Sequence, residues 1–153
     1  QPSQSTLELT NWLIQLDRET DLALLREMVL TKLKDIIQAG LISAQYSSMT
    51  QQIFDYVHKN LQDSNLSLKG IAENHLFMNV DYVSKKFYRE TGKKFSHYLT
   101  EMRIQHAKDL MKANPFASIQ TIAMQIGCGN NPKYFSQLFK KQEGITPTEY
   151  MGK

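Results

Sequence analysis

The chain repeats itself, and that limits what it can fold into. Ser67-Leu68-Lys69-Gly70-Ile71-Ala72 is matched in type by Ser118-Ile119-Gln120-Thr121-Ile122-Ala123 at an offset of 51 residues. Tyr82-Val83-Ser84-Lys85-Lys86-Phe87 is matched by Tyr134-Phe135-Ser136-Gln137-Leu138-Phe139 at an offset of 52, so the second copy holds one extra residue in its turn. Further on, Gly92 pairs with Gly144, Phe95 with Pro147 and Tyr98 with Tyr150. A solenoid needs at least about three repeats to bury its faces. Two copies therefore predict a duplicated supersecondary unit.

Each copy reads as a short helix, a turn and a second helix. Ser67 can cap the first short helix, with Leu68, Ile71 and Ala72 inward, and small residues at Ala72 and Ala123 let crossing helices approach closely. The turns fall at Leu76 to Asn79 and at Gly127 to Asn131, where Gly127 and Gly129 supply backbone freedom. At about 100° per residue, Val80 and Val83 share the inward side of the second helix with Phe87. Its outer face carries Asp81, Tyr82, Lys85, Tyr88 and Arg89. In the second copy Pro132 and Phe135 turn inward with Phe139, and the outer face carries Lys133, Tyr134, Gln137, Lys140 and Lys141.

Between the copies a helical pattern runs from Phe95 to Lys112, with Leu99, Met102, Ala107 and Leu110 suited to burial. Ala113-Asn114-Pro115 ends it, because proline disfavours helix at the residue before it. Eighteen residues make a rod of roughly 27 Å, which could hold two units about one DNA turn, roughly 34 Å, apart. Upstream, a helix containing Leu9, Trp12, Leu13 and Leu16 precedes one that runs from the Thr20-Asp21 cap to Ala39, with Gly40 as its stop. Ser47-Ser48 opens another, with Ile53, Phe54, Val57 and Leu61 inside. The pattern predicts an all-α fold: two helix-turn-helix subdomains joined by a long central helix, with extra N-terminal helices. Residues 1–47 form a helical segment or linker, and residues 48–153 the tandem helix-turn-helix domain.

Charge divides along the same line. The net charge is +3, but residues 1–66 carry −3 and residues 67–153 carry +6, which points to a polyanion partner for the second part. One lysine-bearing helix face is ordinarily just a solvated face; two in duplicated contexts on the basic side of the split favour contact with double-stranded DNA. Lys can donate to guanine O6 and N7, Gln pairs with adenine, Asp accepts from cytosine N4, and Lys and Arg also neutralise phosphate.

Other classes lack their signatures. No GxSxG elbow, P-loop or GxGxxG is present, so the sequence predicts no enzyme and no cofactor. His58, His75, His97 and His106 fit no metal template. The single Cys128 cannot form an internal disulfide and reads as a small turn or core residue. No run of about 18 apolar residues occurs, which excludes a helical membrane span. Gln1-Pro2-Ser3-Gln4 reads as the start of an excised or processed chain with a domain upstream. The rival reading is a helical protein-interaction module without DNA binding.

The residues also resemble the AraC/XylS family of bacterial transcription regulators. The resemblance is carried by Ile122-Ala123-Met124-Gln125-Ile126-Gly127, by Asn131-Pro132-Lys133-Tyr134-Phe135-Ser136-Gln137-Leu138-Phe139-Lys140-Lys141, and by Gly144-Ile145-Thr146-Pro147-Thr148-Glu149-Tyr150. The segment from Tyr98 to Met111 looks like the family's central helix, and the match spans about residues 48–151. It implies seven helices in two lobes, with two recognition helices entering successive major-groove segments. Carried over by position, the base-reading candidates are Asp81, Ser84 and Lys85, and Lys133, Ser136 and Gln137. The phosphate candidates are Tyr88, Arg89, Lys140 and Lys141. Counting Ala72 to Phe87 and Ala123 to Phe139, both turns are one residue longer than the family's commonest spacing, which bears on Asp81 and Lys133 above all.

Within the family the residues look like those of YesN-type response regulators, where a phosphorylatable receiver domain precedes the DNA-binding part. Residues 1–47 would then be a linker or dimerising helix; the alternative is an extra helical layer on the DNA-binding domain. RNA polymerase and a second copy joined through the upstream region are further candidate partners, with a cytoplasmic location. Tyr82 and Tyr134 are expected to pack between helices. Arg103 is expected to brace the two lobes through an ion pair or backbone contacts.

Overall fold

The computed structural model describes residues 4–152; Gln1 to Ser3, on which the reading of an excised start rests, lie outside the described residues. The chain divides into two compact units, Gln1–Gln45 and Tyr46–Lys153. No helix among the described residues is long and apolar enough to cross a membrane.

The first unit holds α1 (Gln4–Arg18) and α2 (Leu22–Gln45). Asp21 caps α2, its carboxylate accepting from the Ala23 N–H at 2.8 Å. The Lys32 ammonium sits 5.8 Å from the centre of the Trp12 ring. One expectation fails here: α2 does not stop at Gly40 but runs through it to Gln45. Glycine ends a helix by turning left-handed and folding the next N–H back, and Gly40 has no positive φ. A right-handed glycine costs a helix only about 1 kcal/mol, too little to stop a helix of 24 residues.

The second unit has two lobes, each with its own core. Lobe 1 is built from α3 (Ser48–Lys59), α4 (Leu68–Ile71), a π-helical turn (Ala72–Leu76) and α5 (Val80–Thr91). Ile53, Val57, Ile71, Ala72, Val83 and Phe87 make its interior. Lobe 2 is built from α7 (Ile119–Gln125), α8 (Pro132–Glu143) and α9 (Pro147–Tyr150). Ile122, Ala123, Ile126, Phe135 and Phe139 fill it.

The central helix α6 (Phe95–Ala113) serves both. It gives Phe95 and Leu99 to the first core, and Ile104, Ala107 and Met111 to the second. Met102 and Leu110, expected inside, pack on the edges of those cores. A helix whose two ends face different cores must rotate its apolar stripe between them, so a single-face reading misplaces the residues near the change.

The repeat explains where the extra residue goes. In both copies a backbone N–H reaches five residues back to the small helix residue: Phe77 to the Ala72 carbonyl, and Cys128 to the Ala123 carbonyl at 2.9 Å. That bond is common to the two copies, although the backbone inside it differs: Phe77 is left-handed in the first and Gly127 in the second. Two residues then lead to the Asn79 cap of α5, whereas three lead from Cys128 to the Asn131 cap of α8. Gly129, at φ +61°, sits within that longer link. The first copy's short helix thus ends in a π turn closed by left-handed Phe77 (φ 53°), not in the regular helix expected.

One buried polar group holds the start of lobe 1. Thr50 is fully buried. Its hydroxyl donates to the Glu90 carboxylate, which also accepts from the Ser47 hydroxyl at 2.9 Å. Burial opposes ionisation of Glu90, but the bonds from Thr50 and Ser47, with the Lys86 charge, win and hold its carboxyl below the ordinary glutamate range. A depressed folded-state pKa stabilises above the unfolded value and loses that stabilisation as pH falls through the folded one. Glu90→Gln is expected to cost about 1 kcal/mol at neutral pH, the solvent-screened value of such bonds, and little in acid. Urea midpoints of both proteins between pH 7 and pH 3 check this; curves that stay parallel would contradict it.

Candidate nucleic-acid interface

Helices α5 and α8 are each fixed by one buried side. Val83 and Phe87 anchor α5, and Phe135 and Phe139 anchor α8, all at 0% exposure. Helix starts are set by asparagine caps. The Asn79 side chain accepts from the N–H groups of Asp81 and Tyr82, and Asn131 from that of Tyr134. Helix ends are set by left-handed Gly92 and Gly144, where any side chain would be strained. Because each helix is pinned on its inner side and at both ends, its outer side faces water.

The sequence candidates fall on those outer sides. Asp81, Ser84, Lys85, Tyr88 and Arg89 are exposed on α5, and Lys133, Gln137, Lys140 and Lys141 on α8, while Ser136 is half-buried. Asp81 and Lys133 each stand second in their helix, so the longer turns leave the two positions equivalent. Tyr82 and Tyr134 depart from the expectation of packing between helices: they are 46% and 50% exposed. Their angular position decides this, since about 100° per residue puts them on the outer side. The Lys86 ammonium lies 5.8 Å from the centre of the Tyr82 ring.

The cations on these faces are available. Lys93 pairs with Glu101 at 2.6 Å and Lys108 with Glu143 at 3.1 Å. Among the described residues, Lys85, Arg89, Lys133, Lys140 and Lys141 make no such pair. Beside α5 an open groove brings Ser84, Lys85, Tyr88 and Arg89 onto one wall and Lys94 and Ser96, at the start of α6, onto the other. Sequence reasoning missed Lys94 and Ser96; their place just around Phe95, at the start of the central helix, was the available signal. No group of three or more metal-ligating side chains occurs among the described residues.

Arg103 lies between the lobes, as expected, through backbone contacts and without an ion pair. Its Nη2 donates to the Asp63 carbonyl of lobe 1 at 2.7 Å. Burial draws its pKa down, against the fields of Cys128, Tyr134 and Asp63. Cys128 is buried, and burial pushes its thiol pKa up despite Arg103.

Two helix-turn-helix units on a shared central helix define a tandem helix-turn-helix domain. The family model described as "Helix-turn-helix domain" matches residues 73–153. The chain is 49% identical over 111 residues to the uncharacterized transcriptional regulatory protein YesN of Bacillus subtilis (strain 168), covering 72% of this chain and 29% of that protein. Among solved structures, it resembles the C-terminal domain of AraT, a response regulator from Geobacillus stearothermophilus. That likeness has a TM-score of 0.66 at 31% identity and covers 69% of this chain and 85% of that one. It also resembles the C-terminal domain of the two-component response regulator yesN from Fusobacterium nucleatum, with TM-score 0.63 at 30% identity, covering 69% and 99%. The chain belongs to the AraC/XylS family of helix-turn-helix transcription regulators. It spans less than a third of the length of the Bacillus relative.

Proposed function

We propose that this chain is the DNA-reading part of a cytoplasmic transcription regulator, with α5 and α8 entering successive major-groove segments of double-stranded DNA. The observation that carries the reading is the pair of outward helix faces whose cations are unpaired. Asp81, Ser84 and Lys85, with Lys133, Ser136 and Gln137, read base edges. Tyr88, Arg89, Lys140 and Lys141 hold phosphates. The chain acts by binding, without catalysis, and RNA polymerase is the machinery it would influence.

Residues 1–47 are the linker to an upstream receiver domain and the segment through which two copies associate. What supports this is the apolar surface of α2: Leu22, Leu33, Ile36, Ile37 and Leu41 are each about half exposed or more, unusual for a helix that stays in water.

Gln137→Ala should weaken the best site by about 1–3 kcal/mol while barely changing affinity for random duplex. Lys141→Ala should weaken both and lower the salt slope by about one unit. Fluorescence titrations at two salt concentrations measure this. Equal losses on both DNAs for Gln137→Ala would refute base reading there, and DNA affinity indifferent to salt would favour the protein-interaction reading.

A further inference from the structure

With one helix serving two lobes, the placement of one reading head against the other depends on what meets at the joint. The joint is narrow. A Cβ placed on Gly127 would lie 2.3 Å from the Leu61 carbonyl oxygen, 2.7 Å from Arg103 Nη2 and 3.0 Å from Arg103 Cζ. The α3–α4 loop of lobe 1, the guanidinium on α6 and the turn of lobe 2 therefore meet at a single point. Nη2 is held by the Asp63 carbonyl at 2.7 Å, and Nε is out of water with no hydrogen-bond partner.

The arrangement is costly if its only purpose is to join the lobes. Apolar side chains at the joint would avoid the penalty of desolvating a cation without a hydrogen-bonded carboxylate. A planar guanidinium offers stiffness instead: its donors have fixed directions, whereas a lysine ammonium swings on a flexible stem. Four residues beyond Gly127 comes Asn131, the cap of α8. Whatever sets the position of Gly127 against lobe 1 therefore sets where α8 begins relative to α5.

Resting on the DNA-reading function above, we infer that Arg103 is a positioning residue that fixes the spacing between the two half-sites the chain accepts. It touches no base in this scheme; it acts through the turn that launches α8. One extra base pair displaces a half-site by about 3.4 Å and turns it by about 35°. A stiff joint rejects such a site and a slack joint accepts it.

The test is selection of bound duplexes from a random pool by the whole chain and by its Arg103→Met and Arg103→Lys variants. The wild type should return two half-site motifs at one spacing. Both variants should return the same motifs with spacings spread over one or two base pairs. Inserting one base pair into the wild-type site should cost the wild type about tenfold and the variants less than about threefold. Duplexes carrying one half-site alone should bind all three proteins equally, a readout that damage to a lobe would change. Arg103→Lys keeps the half-buried charge, so it carries the test should Arg103→Met fail to fold. A single spacing retained by the folded variants overturns the inference, as does equal loss on isolated half-sites. A wild-type pool without paired motifs overturns the DNA reading itself and the spacing role with it.

Discussion

Phe139→Ala is expected to unfold lobe 2 while lobe 1 survives. Phe139 is fully buried; its ring meets Phe135 edge-on at 5.8 Å and Tyr150 at 5.5 Å. Truncating such a ring costs about 3–5 kcal/mol through lost transfer energy and the cavity left behind. A domain of this size has only about 5–15 kcal/mol in total, and half of it has less. The two cores share no residue, being joined by α6, so the loss should stay local. Hydrogen exchange should show unprotected amides in α7 and α8 with protection kept in α3 and α5, and the melt should split into two steps. Affinity for a bipartite site should fall to that of a single half-site. One cooperative melt, with protection lost evenly, would show that the lobes are not independent.

Gly127→Ala should be nearly as severe, and Gly129→Ala should not. Both glycines have positive φ, +80° and +61°, so each substitution carries the left-handed penalty of about 1–2 kcal/mol. They differ in what a methyl group would meet. At Gly129 nothing lies within 4 Å, whereas at Gly127 the first atom met is the Leu61 backbone carbonyl, which no rotamer change can move. Lobe 1 and the turn of lobe 2 must separate to make room. The expected cost at Gly127 is about 3–4 kcal/mol in all. That is a fall of roughly 10 °C or more in Tm, against about a third of that at Gly129. Equal falls for the two variants would mean that the lobes do not press together at this turn.

Much of this architecture could be read from the chain alone. Phe87 and Phe139 were identifiable as inward anchors from spacing, and the outer faces followed by angle. Ser67 marked a helix start, because capping geometry is local; Gly92 and Gly144 were legible only as a matched pair in the repeat, and the structure shows that they end α5 and α8. The duplication gave the count of units. The groove wall formed by Lys94 and Ser96 was not legible, because their partners lie on another helix.

What the sequence by itself determined is the set of elements, the side each turns inward and the candidates on the side left outward, because period and cap are properties of neighbouring residues. What only the tertiary structure decided are the contacts between residues about forty or more apart: Thr50 with Glu90, Arg103 with the Asp63 carbonyl, and Gly127 against Leu61. A backbone carbonyl leaves no trace in residue type, so the acceptor that holds Arg103 is invisible to any reading of letters. The same holds for Gly40, a helix stop in sequence and an interior helix residue in space, because its backbone conformation, not its identity, settles which.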